Sequence, residues 1–268
     1  MSSLAPAVYF IGAGPGDPEL LTVQAQRWLQ QVDVIAYADS LVPPALLAIA
    51  KPTATRLPTS DKTLEDLIPL LVAHVQAGES VARLHSGDLS LYSAVHEQVQ
   101  RLRAAGVCCQ FAPGISAFQA AAARLGAELT VPELVQTVIL TRVGGSASKM
   151  PAREELARLA AHGASLCLYL AARHIETAQA ALLQHYSPDT PVAICFRLGW
   201  PDEQIWLTDL QAMAAQSQAA NLSRTVLYLI SPALAGCRWA SDGEPALGRR
   251  SHLYHPDHHH QFRPPPKE

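Results

Sequence analysis

The segment Val8-Tyr9-Phe10-Ile11-Gly12-Ala13-Gly14-Pro15-Gly16-Asp17, VYFIGAGPGD, decides the class of fold. Its apolar first half is typical of a buried strand, and the glycines after it lead into a helix-like segment at 22–31. A strand, a glycine-rich turn and a helix in this order favour an α/β protein. The turn places backbone N–H groups at the start of a helix, which suits an anionic ligand.

The spacing of these glycines argues against a dinucleotide-binding loop. The dinucleotide fingerprint is G-x-G-x-x-G, whereas here Asp17 stands where the third glycine is required. Pro15 stiffens the turn, and Asp39 is the nearest acidic candidate for a ribose ligand. A nicotinamide-dependent oxidoreductase is therefore a weak alternative.

Strand-like and helix-like segments alternate over most of the 268 residues. In the first half we predict strands at 8–14, 33–38, 80–88 and 107–114, and helices at 22–31, 64–78 and 91–106. In the second half we predict strands at 136–145, 165–172, 190–199 and 225–231, and helices at 151–162, 174–186 and 208–219. The alternation predicts a largely parallel sheet covered by helices. The second set of strands is apolar almost throughout, as expected of strands buried on both faces.

The chain length and a break near FAPGIS (111–116) favour two domains over one continuous sheet. We predict an α/β domain at 7–113, a second at 114–236, and a disordered tail at 237–268. The tail carries histidines that could chelate a metal: His255, His258, His259 and His260. A solvated low-complexity end is the favoured interpretation, because no neighbouring carboxylate or cysteine completes a site, and we predict no metal centre.

Composition and charge exclude several classes of function. Hydrophobic residues make up 49% and charged residues 16%, which indicates a globular protein, and the net charge of −3 gives no basic field for nucleic acid. No apolar run reaches the roughly 18 residues of a membrane span, and the first residues lack the pattern of a signal peptide. The cysteines form no CxxC pair and are interpreted as reduced thiols of a cytoplasmic protein: Cys108, Cys109, Cys167, Cys195 and Cys237.

Three further patches place polar residues after a predicted strand. HSGDLSLY (85–92) opens a helix, although Ser86 or Asp88 can equally be an ordinary N-cap. PGISAF (113–118) is not G-x-S-x-G, so Ser116 is not predicted to be a hydrolase nucleophile. LTVPELVQTVILTR (129–142) ends in Arg142, at the type of strand end where α/β proteins bind ligands.

Taken together and in order, four motifs resemble the tetrapyrrole (corrin/porphyrin) methylase family. They are GAGPGDPELLT (12–22), GDLSLY (87–92), PGISAF (113–118) and PDEQ (201–204), and the resemblance covers about 7–236. Within the family, AELTVPELVQTVILTR (127–142) and GWPDEQI (199–205) resemble the branch that methylates carbon 11 of precorrin-4 in cobalamin biosynthesis.

The resemblance implies two α/β domains of the tetrapyrrole methylase type, a homodimer, and S-adenosylmethionine bound in the cleft between the domains, with S-adenosylhomocysteine as product. Carried onto this chain, it implies these cofactor-binding residues: Pro15, Ser86, Gly87, Asp88, Leu91, Ser116, Ala117, Tyr169, Leu170, Leu198 and Thr225. One position departs from the family, since Leu89 replaces the proline of the usual G-D-P turn.

The implied second substrate is a flat macrocycle that carries several carboxylates, so its site needs N–H donors and cations at the rim. We predict that it is bound by Gly14, Gly16, Asp17, Arg142 and Lys149. Arg142 and Lys149 can equally be ordinary surface charges. His85 and Asp17 are weak candidates for a catalytic base, and a structural histidine is the favoured interpretation of His85, so no catalytic residue is assigned.

Other functions of the same fold stay open at this point. They include methylation of uroporphyrinogen III or precorrin-2 and diphthine synthesis, because ring-position preference depends on the shape of the site. A non-catalytic tetrapyrrole- or nucleotide-binding module is the alternative of another class. Whether the macrocycle is metal-free or cobalt-loaded is also open.

Overall fold

The computed structural model describes residues 4–144, 149–237, 256–259 and 262–264. The chain forms two compact units. Unit 1 contains the described residues up to Ala121 together with Arg197–Gln204, and unit 2 contains those from Ala122 to Phe196 and from Ile205 onward. Contacts therefore assign Arg197–Gln204 to unit 1, whereas the sequence pattern places them in the second domain.

Unit 1 is a five-stranded sheet with the strand order β3-β2-β4-β1-β5. β1 pairs parallel with β4 and β5, and β2 pairs parallel with β3 and β4, as the alternating pattern predicts. The strands are β1 (Val8–Gly12), β2 (Val34–Tyr37), β3 (Thr55–Pro58), β4 (Val81–His85) and β5 (Cys109–Ala112). The helices that begin in this unit are α1 (Val23–Leu29), α2 (Pro44–Leu47), α3 (Leu64–Gln76), α4 (Val95–Ala104) and α5 (Ala117–Leu125).

Apolar residues cover both faces of this sheet. β1 and β4 are buried along their whole length, and their alternating side chains belong to two hydrophobic clusters, one with Tyr9 and Ile11 and one with Val8 and Phe10. Thr63 begins α3 with a capping box, in which its hydroxyl accepts from the Asp66 amide and the Asp66 carboxylate accepts from the Thr63 amide. The core therefore supports the strand ends from which the loops emerge.

Unit 2 is a mixed five-stranded sheet with the strand order β6-β7-β10-β8-β9. β6 pairs parallel with β7, but β10 pairs antiparallel with β7 and with β8, so the parallel pattern does not extend to this sheet. The strands are β6 (Val138–Arg142), β7 (Ser165–Tyr169), β8 (Pro191–Phe196), β9 (Gln204–Asp209) and β10 (Val226–Ile230), and the helices are α6 (Leu156–Ala160), α7 (Ile175–Leu182) and α8 (Met213–Ala219). A continuous apolar run indicates burial on both faces but not strand direction, which explains the difference.

The structure also bears on membrane insertion, disulfides and metal binding. Among the described residues, no helix is both long and apolar enough to cross a membrane. The five cysteines form no disulfide, and within the described ranges no cluster of three or more metal-ligating side chains occurs. Most of the predicted tail, with His255 and His260, lies outside the described residues.

Candidate functional site

Three loops of unit 1 leave neighbouring strands at the same edge of the parallel sheet. They follow β1, β4 and β5, which are adjacent in the strand order. In open α/β sheets, ligands bind outside the carboxyl ends of the strands. The loops at 13–17, 86–94 and 113–116 are therefore the candidate site of this unit, and they contain most of the residues predicted from the sequence.

Backbone hydrogen bonds join the first two loops. The Gly14 amide donates to the Gly87 carbonyl at 3.1 Å, and the Gly87 amide donates to the Gly14 carbonyl at 2.7 Å. The Ala13 amide also donates to the carbonyl of His85 at 2.8 Å, which extends the pairing of β1 with β4 beyond both strands. Gly14 and Gly87 thus form an isolated antiparallel bridge, which holds the glycine turn against the β4 loop.

The loops pack so closely that side chains are excluded at their crossing point. A Cβ on Gly12 would overlap the Gly114 amide nitrogen and would lie 2.9 Å from the Gly87 carbonyl oxygen. A Cβ on Gly114 would overlap that same Gly87 oxygen. Gly87 differs from these two, because its φ is +71° and a Cβ on it would meet open space within 4 Å. The turn at Gly87 therefore exposes its backbone on one side, where a ligand can approach.

The Asp88 carboxylate connects the second loop with the third. Its Oδ2 accepts from the Gly114 amide at 3.0 Å, and its Oδ1 accepts from the Ser90 amide at 2.9 Å and from the Ser90 hydroxyl. Burial alone would raise the pKa of Asp88, but the hydrogen bonds from Ser90, Gly114 and Leu89 together hold the pKa below its ordinary value. The ionised Asp88 carboxylate therefore connects the loop after β4 with the loop after β5.

His85, the last residue of β4, is buried beneath these loops. Its ring stacks on Phe10 with 5.9 Å between centroids, and no hydrogen-bond partner among the described residues reaches its Nε2. The pKa of His85 is lowered to about 3, mainly by burial and to a smaller extent by the positive charge of Arg83. The imidazole is therefore neutral near pH 7 and is a weak proton acceptor.

Arg83 carries a buried positive charge on the same face of β4. Its guanidinium donates to Gln98 Oε1 at 3.1 Å and to Thr59 Oγ1 at 3.0 Å, both neutral groups. Burial lowers the pKa of Arg83 to about 10. The group stays charged at neutral pH and disfavours a second cation at His85.

The predicted macrocycle-binding residues divide between the units. Gly14 and Gly16 are buried in unit 1, and Asp17 begins a short 3-10 turn at Pro18–Leu20, where its Oδ1 accepts from the Glu19 amide at 2.9 Å. Arg142 ends β6 in unit 2, and its Nη1 donates to the Val143 carbonyl at 3.1 Å. Lys149, also in unit 2, is exposed.

The predicted cofactor residues outside the three loops also fall in both units. Leu198 is buried and belongs to unit 1, where its carbonyl oxygen would lie 3.0 Å from a Cβ on Gly16. In unit 2, Tyr169 ends β7, Leu170 follows it with 64% exposure, and Thr225 directly precedes β10. Leu170 and Thr225 have φ angles of 54° and 57°, a left-handed conformation that is unfavourable for non-glycine residues and most of all for a β-branched one. Such strain clusters at functional sites, which is consistent with the predicted role.

Sequence reasoning missed several residues at these loops. Tyr92 and Ala94 are left-handed, with φ of 54° and 49°, and Tyr92 is 44% exposed directly after the β4 turn. Trp200 contacts the glycine turn although it lies 185 positions after Pro15 in the sequence. For Trp200, the one available signal was its position within GWPDEQI. For Tyr92 and Ala94 there was none, because a hydrophobic pattern does not encode backbone angles.

Comparisons with known proteins identify the family of the chain. The family model described as Tetrapyrrole (Corrin/Porphyrin) Methylases matches residues 7–214. The chain belongs to the tetrapyrrole methylase family. It is 43% identical over 257 residues to a precorrin-4 C(11)-methyltransferase of Pseudomonas aeruginosa, a match that covers 96% of this chain and 98% of that protein. It is 35% identical to a cobalt-precorrin-4 C(11)-methyltransferase of Methanocaldococcus jannaschii over 96% of this chain and 95% of that protein.

Solved structures of the tetrapyrrole methylase family match in the same way. The X-ray structure of a cobalt precorrin-4 methyltransferase, a cobalamin biosynthetic enzyme, aligns with a TM-score of 0.82 and 38% identity, over 85% of this chain and 96% of that one. A uroporphyrin-III C-methyltransferase from Thermus thermophilus, in complex with S-adenosylhomocysteine, aligns with a TM-score of 0.72 and 27% identity, over 85% of this chain and 93% of that one. The two-sheet α/β fold predicted from the sequence is confirmed.

Proposed function

We propose that the protein transfers a methyl group from S-adenosylmethionine to carbon 11 of precorrin-4 or cobalt-precorrin-4 in cobalamin biosynthesis. The observation that carries the proposal is the similarity over 96% of the chain to methyltransferases named for this reaction. The lower identity to the uroporphyrin-III enzyme, 27%, favours the precorrin-4 position over that alternative.

The loops of unit 1 fit a cofactor of this kind. Gly87 leaves open space above its backbone, and Ser86, Asp88 and Leu91 beside it are half-buried. Ser116 is buried, and its amide donates to Gln119 Oε1 at 2.9 Å, which orders the start of α5. We propose that these residues bind S-adenosylmethionine, together with Pro15, Ala117, Leu198, Tyr169, Leu170 and Thr225.

When bound, S-adenosylmethionine supplies the methyl group from its sulfonium sulfur. The chain's own contribution is then alignment, since well-oriented reactants can lower a barrier by roughly 7–11 kcal/mol. The hydrogen bonds from Gly14 to Gly87 and from Gly114 to Asp88 hold the three loops together. A rigid site of this kind reduces the entropy that binding must overcome.

For the macrocycle we propose contacts with Gly14, Gly16, Asp17, Arg142 and Lys149. The carboxylates of a tetrapyrrole match backbone N–H groups and cationic side chains. Proton loss after methylation needs an acceptor, for which Asp17 and His85 stay weak candidates. With a pKa of about 3, His85 accepts a proton poorly at neutral pH.

The experiment combines binding with turnover on both forms of the substrate. Calorimetric titration with S-adenosylhomocysteine tests the cofactor, and mass spectrometry after incubation with S-adenosylmethionine and precorrin-4, or its cobalt form, tests methyl transfer. Transfer to carbon 11 of either form supports the proposal and identifies the preferred one. Binding without transfer to either form would favour a non-catalytic module, and transfer to uroporphyrinogen III alone would favour that alternative.

The homodimer implied by the family resemblance and the cytoplasmic location expected from the cysteine pattern are part of this proposal. Light scattering on the purified protein measures the first, and fractionation of the producing cell measures the second.

A further inference from the structure

We propose that Trp200, in the segment Arg197–Gln204 between β8 and β9, is a positioning residue that holds the Pro15–Asp17 turn in its binding geometry. The segment and the turn both belong to unit 1. The inference rests on the proposed function, because this turn carries residues that we propose for cofactor and macrocycle contact. It extends that proposal to a residue for which the sequence predicted no role.

Trp200 contacts the turn through Nε1 and the neighbouring ring carbon Cδ1. Its Nε1–H donates to the Pro15 carbonyl at 3.1 Å. A Cβ on Gly16 would lie 2.5 Å from Trp200 Cδ1 and 2.7 Å from Nε1. Only glycine at position 16 therefore leaves room for the indole, and the buried backbone of Gly16 is covered by it.

A second glycine makes the fit reciprocal. Gly199, with φ of +77°, lies so close to the turn that a Cβ on it would overlap the Asp17 amide nitrogen and lie 3.0 Å from Asp17 Cβ. The two backbones thus interlock, with Gly16 facing the Trp200 ring and Gly199 facing Asp17. Such close approach limits the movement of the backbone at Gly16 and Asp17.

The Trp200 side chain is itself held by its own segment. The Arg197 guanidinium lies 4.0 Å from the centroid of the Trp200 ring, and Arg197 Nε lies 2.8 Å from Asp202 Oδ1. Glu203 Oε2 accepts from the Gly199 amide at 2.6 Å. The Trp200 amide donates to the Arg197 carbonyl at 2.9 Å, and the Glu203 amide donates to the Trp200 carbonyl at 3.0 Å.

This network gives a structural role to the charged residues of the Arg197–Gln204 segment. Asp202 and Glu203 orient Arg197 and Gly199, which in turn orient Trp200, and Trp200 acts on Pro15. The Pro15 carbonyl is thereby engaged by the protein. A turn that is already held in place loses less conformational entropy when a ligand binds.

The test compares Trp200→Phe with Trp206→Phe. The first keeps an aromatic ring but loses the N–H, and the second removes the N–H of a β9 tryptophan that packs against the unit 2 core. We expect kcat/KM for methyl transfer and the affinity for S-adenosylhomocysteine to fall about fivefold in Trp200→Phe, the factor that one net hydrogen bond provides. We also expect faster amide hydrogen exchange in a peptide covering 12–21, without a larger shift of the urea midpoint than in the control.

The outcomes separate this inference from the proposed function. If the wild-type protein binds no S-adenosylhomocysteine, the proposed function fails, while hydrogen exchange still tests the contact itself. If the wild-type protein binds and Trp200→Phe matches Trp206→Phe in exchange and affinity, the inference is overturned. Should Trp200→Phe not fold, Arg197→Met, which leaves the indole in place, must show faster exchange at 12–21, and wild-type protection in that variant overturns the proposal.

Discussion

The carboxylate of Asp88 accepts a hydrogen bond of 3.0 Å from the amide of Gly114, so one side chain joins the loop after β4 to the loop after β5. The same carboxylate accepts from the Ser90 amide at 2.9 Å. Both oxygens are thus engaged by the protein. Any role of Asp88 in cofactor binding therefore acts at least partly through the shape of the loops.

Removal of the Asp88 carboxylate should lower both the affinity for the cofactor and the stability of the protein. In Asp88→Ala the amides of Gly114 and Ser90 lose their acceptor, so we expect the free energy of unfolding to fall by about 1–3 kcal/mol. We expect the affinity for S-adenosylhomocysteine to fall at least about tenfold, or ~1.4 kcal/mol. Urea denaturation and calorimetric titration measure the two effects.

Asp61→Ala is the matched control, because Asp61 is an exposed carboxylate that pairs with Lys62 at 3.3 Å. We expect its unfolding free energy to stay within about 0.5 kcal/mol of the wild-type value. Wild-type affinity in a folded Asp88→Ala protein would contradict the proposed role of the β4 turn.

A methyl group on Gly12 should be poorly tolerated. It would overlap the Gly114 amide nitrogen, and both partners are backbone atoms that cannot rotate away. We expect Gly12→Ala to lower the free energy of unfolding by about 3 kcal/mol through overpacking. The control is Gly144→Ala, since a Cβ there would lie 3.4 Å from Met150 Cγ and 3.7 Å from the Met150 amide nitrogen, which are ordinary contact distances. Equal denaturation midpoints for the two variants would show that the loops separate easily.

The sequence predicted the framework of unit 1 because local patterns encode it. Each of its fully buried strands, β1 and β4, leads into a glycine-containing turn, and Gly106 follows the end of α4 as expected of a C-terminal glycine. β3 (Thr55–Pro58) escaped prediction because it is short and largely exposed. β9 (Gln204–Asp209) escaped because it begins within a polar turn motif.

The site itself was predicted only where the family motifs reach. Asp88, Gly14 and Ser116 stand in recognisable motifs, but the contact of Trp200 with Pro15 joins residues 185 positions apart. Nor does composition indicate that His85 is neutral, because its pKa depends on burial and on the charge of Arg83. Such properties depend on tertiary neighbours, which periodicity does not encode.

Arg142 provides a test of substrate binding that leaves the cofactor loops of unit 1 untouched. If its guanidinium binds a macrocycle carboxylate, Arg142→Gln should raise KM about tenfold or more, because a charge-assisted hydrogen bond is lost. Affinity for S-adenosylhomocysteine should not change. Arg173→Gln is the control, since Arg173 is exposed in the same unit. Equal KM values for both variants would identify Arg142 as a surface charge.

His85 should make the stability of the protein depend on pH. Its pKa is about 3 in the folded state and near its ordinary value of 6.5 in the unfolded chain, so the unfolded state binds the extra proton between these values. The stability contribution is therefore fully present above about pH 6.5 and is lost as the pH falls toward about 3. Replacement by glutamine removes this titration. The free energy of unfolding of the wild-type protein should thus fall more steeply than that of His85→Gln, by up to about 1.4 kcal/mol per pH unit.

Urea denaturation at about pH 7.5, 6 and 5 measures the two slopes. The slope is the readout because glutamine also changes packing against Phe10, which shifts stability at every pH alike. Parallel curves for wild type and His85→Gln would mean that His85 takes up its proton equally in both states, which contradicts a buried neutral imidazole.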